Sequence, residues 1–141
     1  MTTARAIIDA LALSPHPEGG WYRETWRDAD PATGPRGRAS LIHYLLERGQ
    51  RSHWHRIDAT EIWLHQGGDA LRLLTWEGAA RRTQILGPDL ADGQRAQGVV
   101  PPGAWQSAEA VGDWVLVSCV VSPGFSFDAF EMAPDGWQPP P

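Results

Sequence analysis

The stretch "RSHWHRIDATEIWLHQGG", residues 51–68, holds four side chains, His53, His55, Glu61 and His65, that can carry a proton or bind a metal ion and that strand alternation can bring together. On extended chain, period two sets His53 with His55 on one face, and Glu61, Trp63 and His65 on one face of the next strand. If "RIDAT" folds the first strand back on the second, the two faces oppose each other inside a barrel. A carboxylate buried beside imidazoles must then be paired or protonated, because an isolated buried charge is costly. Such a cluster suits either proton transfer or metal ligation.

The elements needed to position this cluster are short strands. Runs rich in Val, Ile, Leu, Trp and Tyr at 20–27, 39–46, 51–56, 60–66, 70–76, 81–86, 97–100 and 113–121 are separated by clusters of Gly, Pro and Asp. The breaks "DADPATGPRGR", "RGQ", "QGGD", "WEGA" and "GPDLADGQ" have turn chemistry. About eight strands at this spacing predict an all-β barrel or jelly roll, not a parallel sheet. Ahead of them, Ala4, Ile7, Ile8 and Leu11 have the spacing of a helix face, with Thr2 or Thr3 as N-cap and Pro15 as the stop. The expected layout is one domain: a helix at about 3–13, a barrel at about 17–133 and an extended, weakly ordered Pro-rich surface tail at 134–141.

The 141 residues carry 12 Lys+Arg against 17 Asp+Glu, a formal charge of -5 that offers no footprint for nucleic acid or an anionic membrane. No segment has the roughly 20 apolar residues of a membrane span, and no leader pattern opens the chain, which predicts a soluble, cytoplasmic protein with a small-molecule partner. The one cysteine, Cys119 in "WVLVSCVV", reads as a buried small hydrophobe, and a single cysteine forms no intrachain disulfide. Eight tryptophans exceed what packing needs, so some are expected to line a cavity.

The motifs resemble the cupin superfamily and, within it, the cupin_5 or DUF985 group. The first cupin motif matches His53, His55, Glu61 and Gly68; the second, in "PPGAWQ", matches Pro101, Gly103 and Gln106. The narrower resemblance runs through "HPEGGWYRETWR", "LIHYLL", "SHWHR", "EIWLHQGGD", "VVPPGAWQ" and "SPGFSFDAFEMA". It implies a double-stranded β-helix around a central pocket, in homodimers that exchange edge strands. It also implies a divalent metal on His53, His55, Glu61 and Gln106, a mixed N/O set suited to Zn, Mn, Ni or Fe(II). Two departures bear on that site: the His55 to Glu61 spacing exceeds that of metal-binding cupins, and Gln106 replaces the last histidine.

Three chemistries follow. In the first, His55 is general base or acid, Glu61 orients or charges it, and Tyr22 or Tyr44 is the opposing acid. Its specific form is similar to the dTDP-4-keto-6-deoxysugar 3,5-epimerases, whose N-terminal block resembles "EGGWYRET"; by that likeness Arg23 and Glu24 hold a nucleotide or another polar ligand from the first strand, within the chain or across the dimer. In the second, the protein is a non-catalytic binding barrel in which Trp21, Trp54, Trp63 and Trp105 stack on the ligand. In the third, His53, His55 and Glu61 carry a metal-dependent oxygenase or isomerase. His65 and Trp63 read as pocket walls, His43 as an ordinary strand histidine and His16 as a turn residue. Of the two parities in 21–26, Tyr22, Glu24 and Trp26 are favoured inward over Trp21 and Arg23.

Overall fold

The computed structural model describes residues 2–141. A helix, α1 (Ala4–Leu11), precedes strands β1 (Ser14–Pro15), β2 (Trp21–Arg27), β3 (Ser40–Glu47), β4 (Arg51–Ile57) and β5 (Thr60–Gly68). After them come β6 (Leu71–Trp76), β7 (Arg82–Leu86), β8 (Gln97–Val100), β9 (Trp105–Ala110), β10 (Trp114–Ser122) and β11 (Phe130–Met132). All pairings between strands are antiparallel; one sheet has the order β1-β2-β3-β10-β5-β8 and the other β11-β4-β9-β6-β7. Two facing antiparallel sheets with one short helix make the jelly roll that the strand pattern predicts.

Thr3 Oγ1 accepts the Ala6 N–H and caps α1. The helix lays Ala4 and Ile8 on Leu45, Trp21, Trp114 and Leu116, so it covers the outer face of the first sheet. Inside, the facing residues of β10 run Val115, Val117, Cys119 and Val121. The first three belong to a core with Leu71, Leu73, Leu86 and Trp63, and Val121 lines a cavity. One end of the barrel is therefore filled and the other is open.

Three irregularities alter which side chains face inward. Between Glu24 and Trp26, β2 carries one more residue than β3 across the same interval. Tyr22 and Glu24 face inward as expected, but Trp26 does not: it is 54% exposed and Arg27 takes the inward place. In β4, Ser52 pairs with Ala108 and His55 with Gln106, which leaves one extra residue in the Ser52–His55 interval and separates His53 from His55. A third shift, opposite Leu116 and Val117, breaks the period in β5 beyond His65.

Strand β9 lies outside the sequence expectation. Its sequence, WQSAEA, is poor in β-branched residues, because Ser107 and Ala108 are packed at the centre of the second sheet between β4 and β6, where small side chains fit. Contrary to the expected loose tail, residues 134–141 dock on the barrel. Trp137 packs against Trp54, Trp76 and Trp105 with ring centroids 6.2, 6.3 and 4.7 Å away, and Pro139 is buried while its carbonyl accepts from Arg81. Several tryptophans thus hold the chain's own end.

Candidate active site

The open end encloses about 230 Å³ lined by His16, Glu18, Tyr22, Glu24, Arg27, Ser40, Ile42, His55, Glu61, Val121, Phe125 and Phe127. Of the residues expected from sequence, Tyr22, Glu24, His55 and Glu61 meet here. His16, Glu18 and Arg27 were not expected.

The other expected residues lie elsewhere. Arg23 points to the opposite face and donates to Leu11 O. His53 Nε2 lies 3.0 Å from Ala133 O and 3.2 Å from Pro134 O, tied to the C-terminal segment. His65 shares the inward parity but sits beyond Trp63, toward the hairpin into β6, with Nε2 2.9 Å from Asp69 O. Trp63 is core beneath the cavity floor, Trp54 and Trp105 pack on Trp137, and Trp21 lies under the helix. The aromatic wall expected from four tryptophans is instead built by Tyr22, Phe125 and Phe127.

His16 and Glu18 reach the cavity because a tight turn carries them there. The Gly19 N–H donates to His16 O, and the His16 N–H donates to Gly20 O. Gly19 has φ +109, and a Cβ on it would meet Arg51 O at 2.1 Å; Gly20 has φ +78 and is crowded by Leu45 O. Both positions need glycine. The turn buries Glu18 beside His55, with Oε2 and Nε2 3.1 Å apart. His55 Nδ1 lies 2.7 Å from His53 O; a carbonyl only accepts, so Nδ1 carries the hydrogen and Nε2 is the atom that exchanges a proton with Glu18.

Glu61 is held from below. The Trp63 Nε1–H donates to Gln106 Oε1, which orients the amide so that Nε2 donates to Glu61 Oε1, each at 2.9 Å. Burial pushes Glu18 up to about 8 and Glu61 up to about 7, the latter held back in part by His55. Burial also pushes His55 down, against the pull of Glu61, and pushes His16 down to about 4. Near neutral pH the imidazoles are neutral, and the two carboxyls titrate there.

These residues do not fit the implied metal set. His53 is turned to Ala133, and Gln106 presents N–H, not its carbonyl oxygen, to Glu61. Among the described residues no group of three or more His, Cys, Asp and Glu side chains is arranged to hold a metal ion.

No curated protein matches the sequence. Protein SO0799 from Shewanella oneidensis is similar in structure, with 38% identity, 94% of this chain and 85% of that one covered, and a TM-score of 0.90. A hypothetical protein from Leishmania major follows at 32% identity, 92% and 86% coverage, and 0.84. A variant of oxalate decarboxylase from Bacillus subtilis shares the fold alone: 14% identity and a TM-score of 0.64 over 84% of this chain and 29% of that one. The family model described as cupin superfamily (DUF985) matches residues 5–133, and the chain belongs to this Cupin_5 family.

Proposed function

We propose that the protein is an acid–base enzyme of the isomerase or epimerase class, acting on a small sugar-like or carbonyl-containing molecule. The observation that carries this reading is the Glu18–His55 contact inside the cavity, with Glu61 on the same lining. A general base works best when its pKa lies near the working pH, and Glu61 at about 7 meets that condition. Its carboxylate takes a proton from carbon beside the carbonyl, becoming a carboxylic acid. In this reading the Glu18–His55 pair holds the proton that is returned, and Tyr22, on the same lining, donates to the carbonyl oxygen. Tyr44 is excluded as that donor because it is fully buried and its hydroxyl donates to Gly19 O. The cavity is smaller than the roughly 300 Å³ at which drug-sized sites begin, which favours a small metabolite.

The test is exchange of acidic carbon-bound protons into deuterated solvent, followed by NMR over a panel of keto sugars and small carbonyl compounds. At least one compound is expected to exchange, and Glu61→Gln is expected to slow it about 100-fold or more. A compound that binds saturably and is recovered without exchange would make the protein a binding barrel, and exchange that persists in Glu61→Gln would remove Glu61 as the base.

A further inference from the structure

The lining offers a ligand far more acceptors than donors. Glu18 and Glu61 are only 8% and 7% exposed, yet among the described residues neither is paired with Lys or Arg. The one guanidinium on the lining, Arg27, is engaged: Nε and Nη2 donate to Glu24, at 3.2 and 2.5 Å, and Nη1 donates to Arg36 O at 2.6 Å. Gln106 supplies one hydrogen bond, to Glu61 Oε1.

Glu18 Oε1 is the most informative atom. It lies 3.9 Å from His16 Nδ1, and that nitrogen already accepts the Glu18 backbone N–H at 3.0 Å. The lone pair on that nitrogen is already used, so His16 Nδ1 donates nothing to Glu18. The Tyr44 and Ser52 hydroxyls stand beside Glu18 and hold its carboxyl back from a still higher pKa, but neither carries a charge, and the Tyr44 hydrogen goes to Gly19 O. Around this corner stand rings. His16 meets Tyr22 edge to face at 4.4 Å, and Phe127 lies 6.3 Å from His16. Buried carboxyls met by neutral groups and no cation, bordered by π faces, are complementary to a cation that itself brings N–H or polarised C–H groups.

We infer that the cavity takes a small molecule bearing an ammonium group, seated on Glu18 between the rings of His16, Tyr22 and Phe127. An anion there would face two carboxyls, and a neutral polyol would leave their acceptor oxygens to be matched by hydroxyls alone. The ammonium draws Glu18 into its ionised form, the pair's stored proton then sits on His55 Nε2, and Glu61 stays free for the reacting carbon, so the inference names the substrate class of the proposed reaction and rests on that reading for the role of Glu61. An amino sugar and a short amino ketone both have this layout.

The test compares ammonium probes with neutral partners of equal shape: glucosamine with glucose, ethanolamine with ethylene glycol, and choline with 3,3-dimethylbutanol. Affinities are read by calorimetry or NMR titration on the wild-type protein. At least one ammonium probe is expected to bind about tenfold or more tightly than its neutral partner, the size of a desolvated cation–π contact plus an ion pair. Glu18→Gln is expected to bring that ratio near one while the neutral partner binds as before; should this variant fail to fold, Tyr22→Leu, which removes a ring and no charge, is expected to lower the ratio about threefold. Equal binding of the partners, no binding of any ammonium probe at millimolar concentration, or a preference that survives in folded Glu18→Gln would overturn the inference. Ammonium preference with no proton exchange in any compound of the carbonyl panel would keep this inference and sink the proton-transfer reading. Exchange in a neutral keto sugar without ammonium preference would do the reverse.

Discussion

Gln106 shows how one buried residue sets the chemistry of another. It is fully buried, and its amide links the Trp63 indole to the Glu61 carboxyl. Gln106→Leu keeps the volume but leaves the Trp63 N–H without an acceptor and Glu61 without its donor. We expect a loss of about 2–4 kcal/mol in urea unfolding, the cost of unpaired buried polar groups. The Glu61 pKa is expected to rise further, which ¹³C NMR of the carboxyl reads directly; unchanged stability and an unchanged titration would show that the relay is incidental. Glu61, His55, Tyr22 and Glu24 were legible in the sequence because each sits on a strand whose alternation predicts its direction. His16 and Glu18 were not, since a turn has no period. The available signal was the glycine pair after them, which marks a backbone that must pass close to another strand, here at Arg51.

At the scale of elements, hydrophobic runs revealed eight of the strands but not the extra residues within them. Period two fails at each bulge, which is why His53 left the site and Arg27 entered it. β9 escaped notice because the centre of the second sheet needs small residues, so that strand lacks the bulk that marks its neighbours. The tail escaped for the opposite reason: "GWQPPP" has no regular hydrogen bonding to predict, and its order comes from tertiary contact with three tryptophans. The tail also bears on the site, since Ala133 O and Pro134 O hold the ring of His53, whose own carbonyl orients His55. Trp137→Ala is therefore expected to lower stability by about 2 kcal/mol or more through lost aromatic packing. It is also expected to shift the fluorescence of the remaining tryptophans to the red as Trp105 and Trp76 gain water. A variant with wild-type stability and emission would show that the tail does not stay docked.

Across the whole molecule, these buried groups give stability a pH dependence whose sign can be worked out. The folded state holds protons on Glu18 and Glu61 up to about 8 and about 7, whereas unfolded glutamates release theirs near 4.5. Between those limits the native protein binds more protons than the unfolded chain, so stability falls as pH rises. His16 acts in the opposite sense: its pKa is about 4 when folded and 6.5 when unfolded, so its contribution grows with pH and is complete above 6.5. The lowered pKa of His55 has the same sign. The surface carboxylates Asp28 and Asp58, held low first by their bonds to Arg38 and Arg36, are fully ionised in both states well before that point. From pH 6.5 to 8 the buried glutamates therefore decide the slope. Urea unfolding is expected to show stability declining over this interval by at most about 1.4 kcal/mol per pH unit for each proton. Glu18→Gln, neutral at every pH, is expected to flatten the decline above pH 7 and to exceed the wild type at pH 8.5. A wild-type profile that is level from pH 6.5 to 8.5 would mean that Glu18 and Glu61 are ionised at neutrality, and the assignment of a stored proton to the Glu18–His55 pair would fall with it.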